Sequence, residues 1–382
     1  MPYIPVTCPS GSHEFFYSIS TPTESSAEKI QEGLPTILFI HSGWYSQQIY
    51  ESQFTDPHIR QFNLIVIDNL GNGSTRGKIG DQRYTPKEVA KDLRCVLDAL
   101  GLPPAHIFGL SLGAIAALEL AIAYPECVLS LTLCSPVSLT EPEHIAAGRM
   151  QVYKCWEAAF AASLDPKDPE TKQKQQDYVE EALLGVTQLL FNNVKTRLIK
   201  ALLVHQVLQG VEIWSGTEEN LKQSYDACVR CFIEREAIPT ESFAKIKCPV
   251  SIIHCTEDIG YTMEHKEELA NKLTEAGVKV TLHTVPGPHF ALLEGYENIN
   301  PILVETVLGT DGGPKPPTTL PKPDYRRGKM KTPWTEALQE HGYLPDDPAG
   351  SNDMEDAEIA SWFERPRVLI REERTVVTEV HG

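Results

Sequence analysis

His106-Ile107-Phe108-Gly109-Leu110-Ser111-Leu112-Gly113-Ala114-Ile115 is the stretch on which the reading of the fold turns. Residues 106–108 read as a short buried strand, and residues 112–124 as an apolar helix. Between them a serine stands flanked by glycines in the pattern Gly109-x-Ser111-x-Gly113. A serine nucleophile must project its hydroxyl from a sharp turn, and glycine on either side lets the strand and the helix approach closely. The helix starting at Leu112 adds backbone N–H groups and a positive dipole end beside any developing oxyanion. Ser111 is therefore the candidate nucleophile; the competing reading is a small-residue helix start with no chemistry.

Outward from this elbow the pattern repeats. Residues 36–41 (Thr-Ile-Leu-Phe-Ile-His) and 64–68 (Leu-Ile-Val-Ile-Asp) are continuous apolar runs, as expected of strands buried on both faces of a parallel sheet. Residues 84–100 place Val89, Leu93, Val96, Leu97 and Leu100 at helical spacing, with Thr85-Pro86 opening the helix and Gly101 closing it. Strands follow over 128–134, 250–255 and 278–285, with helices over 263–276 and 297–308. Two further strands are predicted over 3–6 and 15–20. Strict alternation of this kind predicts an α/β fold with a mostly parallel sheet flanked by helices.

The alternation breaks once, after the sixth strand. About a hundred residues with no strand signal carry Tyr153, Trp156, Phe160, Leu189, Leu190, Leu202, Leu203 and Trp214. So apolar a stretch predicts a helical cap, placed where ligands bind in open α/β sheets. The expected division is core over 1–136, cap over 137–240, core again over 241–309, and an extension over 310–382. That extension opens on Pro- and Gly-rich sequence and carries the acidic cluster 353–356, yet it also holds Trp334, Trp362-Phe363 and Val368-Leu369-Ile370. A wholly solvated tail has little use for tryptophans. The extension is expected to dock on the core or on a second copy, giving a homodimer, and to be dispensable for chemistry.

Fifty-two acidic against 34 basic side chains give a net charge of −18, which disfavours nucleic acid and anionic membrane as partners. The N-terminus shows no secretory pattern, and no apolar run approaches the roughly 20 residues of a membrane span. Nine cysteines show no disulfide framework, which points to a reducing, cytoplasmic location. Cys228-Val-Arg-Cys231 is a lone CxxC without a second pair, so neither a metal nor another cofactor is expected.

A serine needs a base, and the base an orienting acid. His289, in Pro286-Gly-Pro-His289-Phe290 beyond the last strand, is placed to swing over the elbow. His41 and His254 end strands but sit in apolar runs and read as structural. Asp258, on the loop after the preceding strand, is the candidate acid, with Glu257 beside it as the alternative.

These residues resemble the α/β-hydrolase superfamily in its capped branch. The order Ser111, Asp258, His289 is the family's, and the resemblance runs from about residue 37 to 308. His41-Ser-Gly43-Trp44 is similar to the oxyanion loop, and Asp68-Asn-Leu-Gly71-Asn-Gly73-Ser74 to the Asp-x-x-Gly-x-Gly-x-Ser turn. The resemblance implies an oxyanion hole from the backbone N–H groups of Leu112 and of Gly43 or Trp44, and a lid over 137–238. Three positions depart from the pattern: His-Ser-Gly in the oxyanion loop, Leu70 where arginine is common, and Cys255 in place of glycine.

Trp44 and Phe290 flank these elements and are expected to line an apolar pocket. The function expected is a cofactor-independent serine hydrolase acting on an ester, thioester or lactone of a small to medium apolar compound. A carbon–carbon bond hydrolase on the same residues, and a ligand-binding protein with a silent triad, are the alternatives.

Overall fold

The computed structural model describes residues 2–160, 169–194, 196–316 and 329–345. Eight strands form one sheet in the order β1-β2-β4-β3-β5-β6-β7-β8. They are β1 (Tyr3–Cys8), β2 (Gly11–Ser20), β3 (Thr36–Ile40), β4 (Asn63–Ile67), β5 (Ala105–Leu110), β6 (Val128–Cys134), β7 (Val250–Cys255) and β8 (Val280–Val285). The β1/β2 and β2/β4 pairs are antiparallel and every later pair is parallel. The two N-terminal strands are longer than the sequence suggests. They join as a hairpin through Cys8 opposite Gly11, so ladder bonds carry the strands right up to the polar turn.

Strands β3, β4 and β5 are buried along their whole length, which explains the continuous apolar runs of β3 and β4. Their side chains alternate between two cores. Leu38, Ile40, Ile65, Ile67 and Ile107 face one, with helices α2 (Pro86–Ala99) and α3 (Leu112–Ala123). Ile37, Phe39, Leu64, Val66 and Phe108 face the other, with α1 (Glu51–Thr55) and α10 (Tyr296–Gly309). Helix α2 buries Leu93, Val96 and Leu97, and the Thr85 N–H is held by Glu88 at its start. Gly101 ends it at φ +62°, where a side chain would be strained.

Between β6 and β7 the described residues are helical: α4 (Glu143–Ala159), α5 (Pro169–Phe191), α6 (Arg197–Ile213), α7 (Glu218–Tyr225), a wide turn over Asp226–Arg230 and α8 (Cys231–Ile233). Its interior is aromatic. The Trp156 ring lies 4.4 Å from Phe160 and edge-on to Trp214 at 6.4 Å, and Trp156 Nε1 donates to the Trp214 carbonyl. Helix α9 (Met263–Glu275) then covers the β7–β8 crossover.

Residues 329–345 run back across the core and form α11 (Thr335–Glu340). Trp334 is buried there, 4.7 Å from the Phe54 ring, and its Nε1 donates to Gln47. Leu338 and Tyr343 are buried alongside. Trp362-Phe363 and Val368-Leu369-Ile370, the other apolar positions of the extension, lie outside the described residues. Among the described residues no helix is long and apolar enough to cross a membrane.

Candidate active site

The chain leaves β3 towards β4 on one side and β5 on the other, and a crevice opens at the carboxyl ends of such strands. Ser111 stands there, directly after β5, with φ +56° and ψ −115°. So strained a conformation persists only where its surroundings over-determine it. The flanking glycines show how. A Cβ on Gly113 would sit 2.1 Å from the Ile40 carbonyl oxygen, and one on Gly109 would sit 2.7 Å from Ala114 Cα. At these two positions the elbow is thus packed too tightly for any side chain.

His289 follows β8, and its Nε2 lies 2.9 Å from Ser111 Oγ. Its Nδ1 lies 2.7 Å from Asp258 Oδ2, on the loop after β7. Asp258 is buried while Glu257 is exposed and turned away, so of the two carboxylates only Asp258 meets the histidine. Asp258 Oδ1 accepts the N–H groups of Gly260 and Tyr261 at 3.1 and 2.9 Å. Burial alone would raise the Asp258 carboxyl, but His289, Lys266 and the Tyr261 N–H outweigh it and hold the group well below the ordinary carboxylate range. The carboxylate is therefore ionised, and the Nδ1 proton of His289 points at it. Cys255, in the family's glycine position, packs in the core with Ser135 Oγ 3.1 Å from its sulfur and leaves the loop geometry intact.

Around this relay the oxyanion loop is fixed from below. His41 Nδ1 donates to the Ser42 carbonyl and Nε2 accepts the Asn69 N–H at 2.9 Å. Burial lowers His41 to about 4, so it serves as a neutral strut, as its apolar setting in the sequence suggests. Trp44 takes a left-handed φ of +74°. Its indole reaches away from the sheet, with Nε1 3.0 Å from the Cys228 carbonyl and the ring edge-on to Trp214 at 6.0 Å.

Helices α4 and α5 bound a cavity of about 440 Å³ whose lining includes Trp44, Ile145, Arg149, Leu189, Leu190 and Ile259. Trp44 is part of this lining. Phe290, the other residue expected in a pocket, is not among the residues that line this cavity. It is buried, stacked on His289 at 5.3 Å and edge-on to Tyr45 and Phe191, because its N–H is tied to the Leu190 carbonyl. It holds the imidazole from behind.

The site also contains residues that the sequence pattern does not reveal. Lys266 Nζ donates to Asp258 Oδ2 at 3.3 Å and to the Tyr261 carbonyl at 2.6 Å. Arg149 and Arg235 both bind Glu141 at 2.7 Å, and Arg149 lies over the Phe232 ring at 3.6 Å. Tyr261 Oη joins this group by donating to Glu141 at 2.8 Å. In sequence these are ordinary helix and loop charges, and only their burial distinguishes them. Cys228 and Cys231 are both free and buried, and no group of three metal-ligating side chains occurs among the described residues.

Residues 30–296, most of the chain, match the family described as alpha/beta hydrolase fold. The chain belongs to this family. Among curated proteins it is similar to "Probable lysophospholipase BODYGUARD 1" of Arabidopsis thaliana, with 26% identity over 298 residues. That match covers 69% of this chain and 62% of the relative. Epoxide hydrolase 4 of Homo sapiens is 29% identical over 104 residues, 26% of this chain and 28% of its own length. The chain thus spans less than two thirds of these relatives. Among solved structures, a thermophilic esterase from Thermogutta terrifontis superposes with a TM-score of 0.55 at 16% identity, covering 80% of this chain and 97% of that one. The enol-lactonase from Burkholderia xenovorans LB400 gives 0.53 at 16% identity, covering 80% and 99%. These likenesses show the same fold over about four fifths of the chain.

Proposed function

We propose that this α/β-hydrolase is a serine hydrolase that cleaves an ester, thioester or lactone of a small to medium apolar compound through an acyl-enzyme on Ser111. The observation that carries the reading is the continuous relay Ser111–His289–Asp258, with contacts of 2.9 and 2.7 Å in a buried setting. His289 Nε2 takes the Ser111 hydroxyl proton as Oγ attacks the carbonyl carbon. The oxyanion rests on the N–H of Leu112 with that of Gly43 or Trp44. His289 then hands its proton to the leaving group, and water, deprotonated by the same imidazole, releases the acid and frees Ser111. Asp258 keeps the proton of the resting histidine on Nδ1.

The insertion acts as a lid in this scheme, and here it lies closed. Ser111 is 1% exposed and His289 fully buried. Lid residues press on the oxyanion loop, since a Cβ on Gly43 would meet Phe232 at 2.9 Å and the Ala227 carbonyl at 3.1 Å. Substrate reaches the serine when this segment moves, and the cavity between α4 and α5 receives the apolar acyl chain. Its volume of about 440 Å³ fits a medium-sized group. Names of relatives and neighbours (lysophospholipase, esterase, lactonase) describe chemistry of the same kind. The nine cysteines without a disulfide among them support a reducing compartment, the cytosol, for the working enzyme.

A panel of p-nitrophenyl esters, thioesters and lactones of graded size tests the proposal. Turnover is expected to peak at intermediate acyl length, and shrinking Trp44 is expected to shift that peak through KM more than kcat. Absence of turnover across all three classes would overturn it.

A further inference from the structure

Helix α9 carries its charges outward except at one position. Leu269 and Leu273 form its buried stripe, and Lys266 occupies the same stripe three residues before Leu269, fully buried. An aliphatic residue would satisfy the packing there. An ammonium instead costs several kcal/mol of desolvation unless it is paired and hydrogen-bonded. Its two partners are the Tyr261 carbonyl and Asp258 Oδ2, the oxygen that also accepts from His289 Nδ1. The side chains of Lys266, Asp258 and His289 are all without solvent exposure, so water screens none of these contacts.

We propose that Lys266 is a positioning residue of the relay: its ammonium shares Asp258 Oδ2 with His289, seating the carboxylate and setting the pH at which His289 becomes an effective base. The inference rests on the reading of Ser111, His289 and Asp258 as a working relay. With Lys266 in place, part of the Asp258 charge is neutralised and less of it stabilises the imidazolium. An uncharged residue at this position would leave more of the Asp258 charge to stabilise the imidazolium. Burial lowers Lys266 from its ordinary value while Asp258 counteracts the effect, in keeping with a group held as a cation by one carboxylate.

The other ionisable groups nearby cannot supply this effect. On β7, His254 is lowered by burial and then by the Lys266 charge, and His265 of α9 behaves in the same way. Cys134 and Cys255 pack behind Lys266 as buried thiols. From the lid, Glu141 is already occupied by Arg149 and Arg235, and it touches the relay only through Tyr261.

The test is the rate at which a fluorophosphonate labels Ser111 as a function of pH, in wild type, Lys266→Met and Lys266→Gln. Circular dichroism verifies folding. The methionine fills the stripe without charge, and the glutamine keeps a hydrogen-bond donor without charge. The acidic limb of the labelling rate is expected to move up by about one pH unit in both variants, a roughly tenfold loss of rate below the limb. Rates at high pH should stay within several-fold of wild type. An unmoved limb in folded variants overturns the proposal. So does a glutamine variant that restores the wild-type limb, because the lysine is then only a tether. If neither variant folds, Lys266 is a structural ion-pair partner and the proposal falls. Wild-type protein that takes no label removes the relay itself, and this inference with it, which separates the two failures.

Discussion

At the residue scale the site is a set of pairings, and sequence shows some of them better than others. Ser111 is legible because a nucleophile on an elbow needs glycine on both sides, and the would-be Cβ contacts of 2.1 and 2.7 Å at Gly113 and Gly109 show that need in the fold. His289 is legible from its place after the last strand. Asp258 and Glu257 are adjacent carboxylates, and position after the strand favours Asp258 in the sequence while leaving Glu257 open, since a one-residue difference in loop path decides which turns inward. The structure places Asp258 Oδ2 at 2.7 Å from His289 and leaves Glu257 in solvent. Asp258→Asn is therefore expected to lower kcat by about three to four orders of magnitude, through the wrong histidine tautomer. Glu257→Gln should stay within about twofold. Steady-state kinetics on an activated ester checks the ranking, and the reverse order would contradict it. Lys266 was illegible, because a lysine among the glutamates of an amphipathic helix reads as solvated until its burial is seen.

At the element scale, the alternation of strand and helix was readable because parallel strands covered on both faces need unbroken apolar runs. The arrangement of the insertion was not, because its helices meet through contacts distant in sequence. Its two ends are joined by such a contact. Glu141, at the start of the insertion, binds Arg149 of α4 and Arg235 at its close, all with side chains no more than 6% exposed. Burial alone would raise the Glu141 carboxyl, yet the two guanidiniums outweigh it and hold it below its ordinary value. Its contribution to stability is thus present above the unfolded carboxylate pKa and is lost as pH falls through the lower, folded one. Glu141→Ala leaves two guanidiniums buried without their partner and is expected to cost about 3–5 kcal/mol. Chemical denaturation at neutral pH measures this. A loss below about 1 kcal/mol would mean that water already reaches the cluster.

At the scale of the whole molecule, residues 329–345 pack back onto the core beside Phe54 and against α6 of the insertion. Composition suggested docking through Trp334, but the partner surface belongs to residues nearly three hundred positions earlier and no local pattern announces it. Glu51, fully buried, accepts the Thr332 and Thr335 hydroxyls at 2.5 and 3.0 Å. Burial pushes its carboxyl up to about 7, with the two threonines opposing. A raised acid favours the fold while protonated, so docking is strongest below the unfolded carboxylate pKa. It weakens as pH rises and levels off above about 7, an effect on the order of 3 kcal/mol. Hydrogen exchange at the Met330 amide, which donates to the Thr55 carbonyl, should show protection free energy falling between pH 5 and 8, and Glu51→Gln should flatten the trend. Protection that rises with pH would reverse the sign and contradict the account. The central claim, that this α/β-hydrolase carries an activated serine, is tested most directly by intact mass and peptide mapping after fluorophosphonate treatment. One adduct per chain, on the peptide bearing Ser111 and absent from Ser111→Ala and His289→Ala, is the predicted result. An unlabelled wild type, or a label that survives in folded Ser111→Ala, would contradict it.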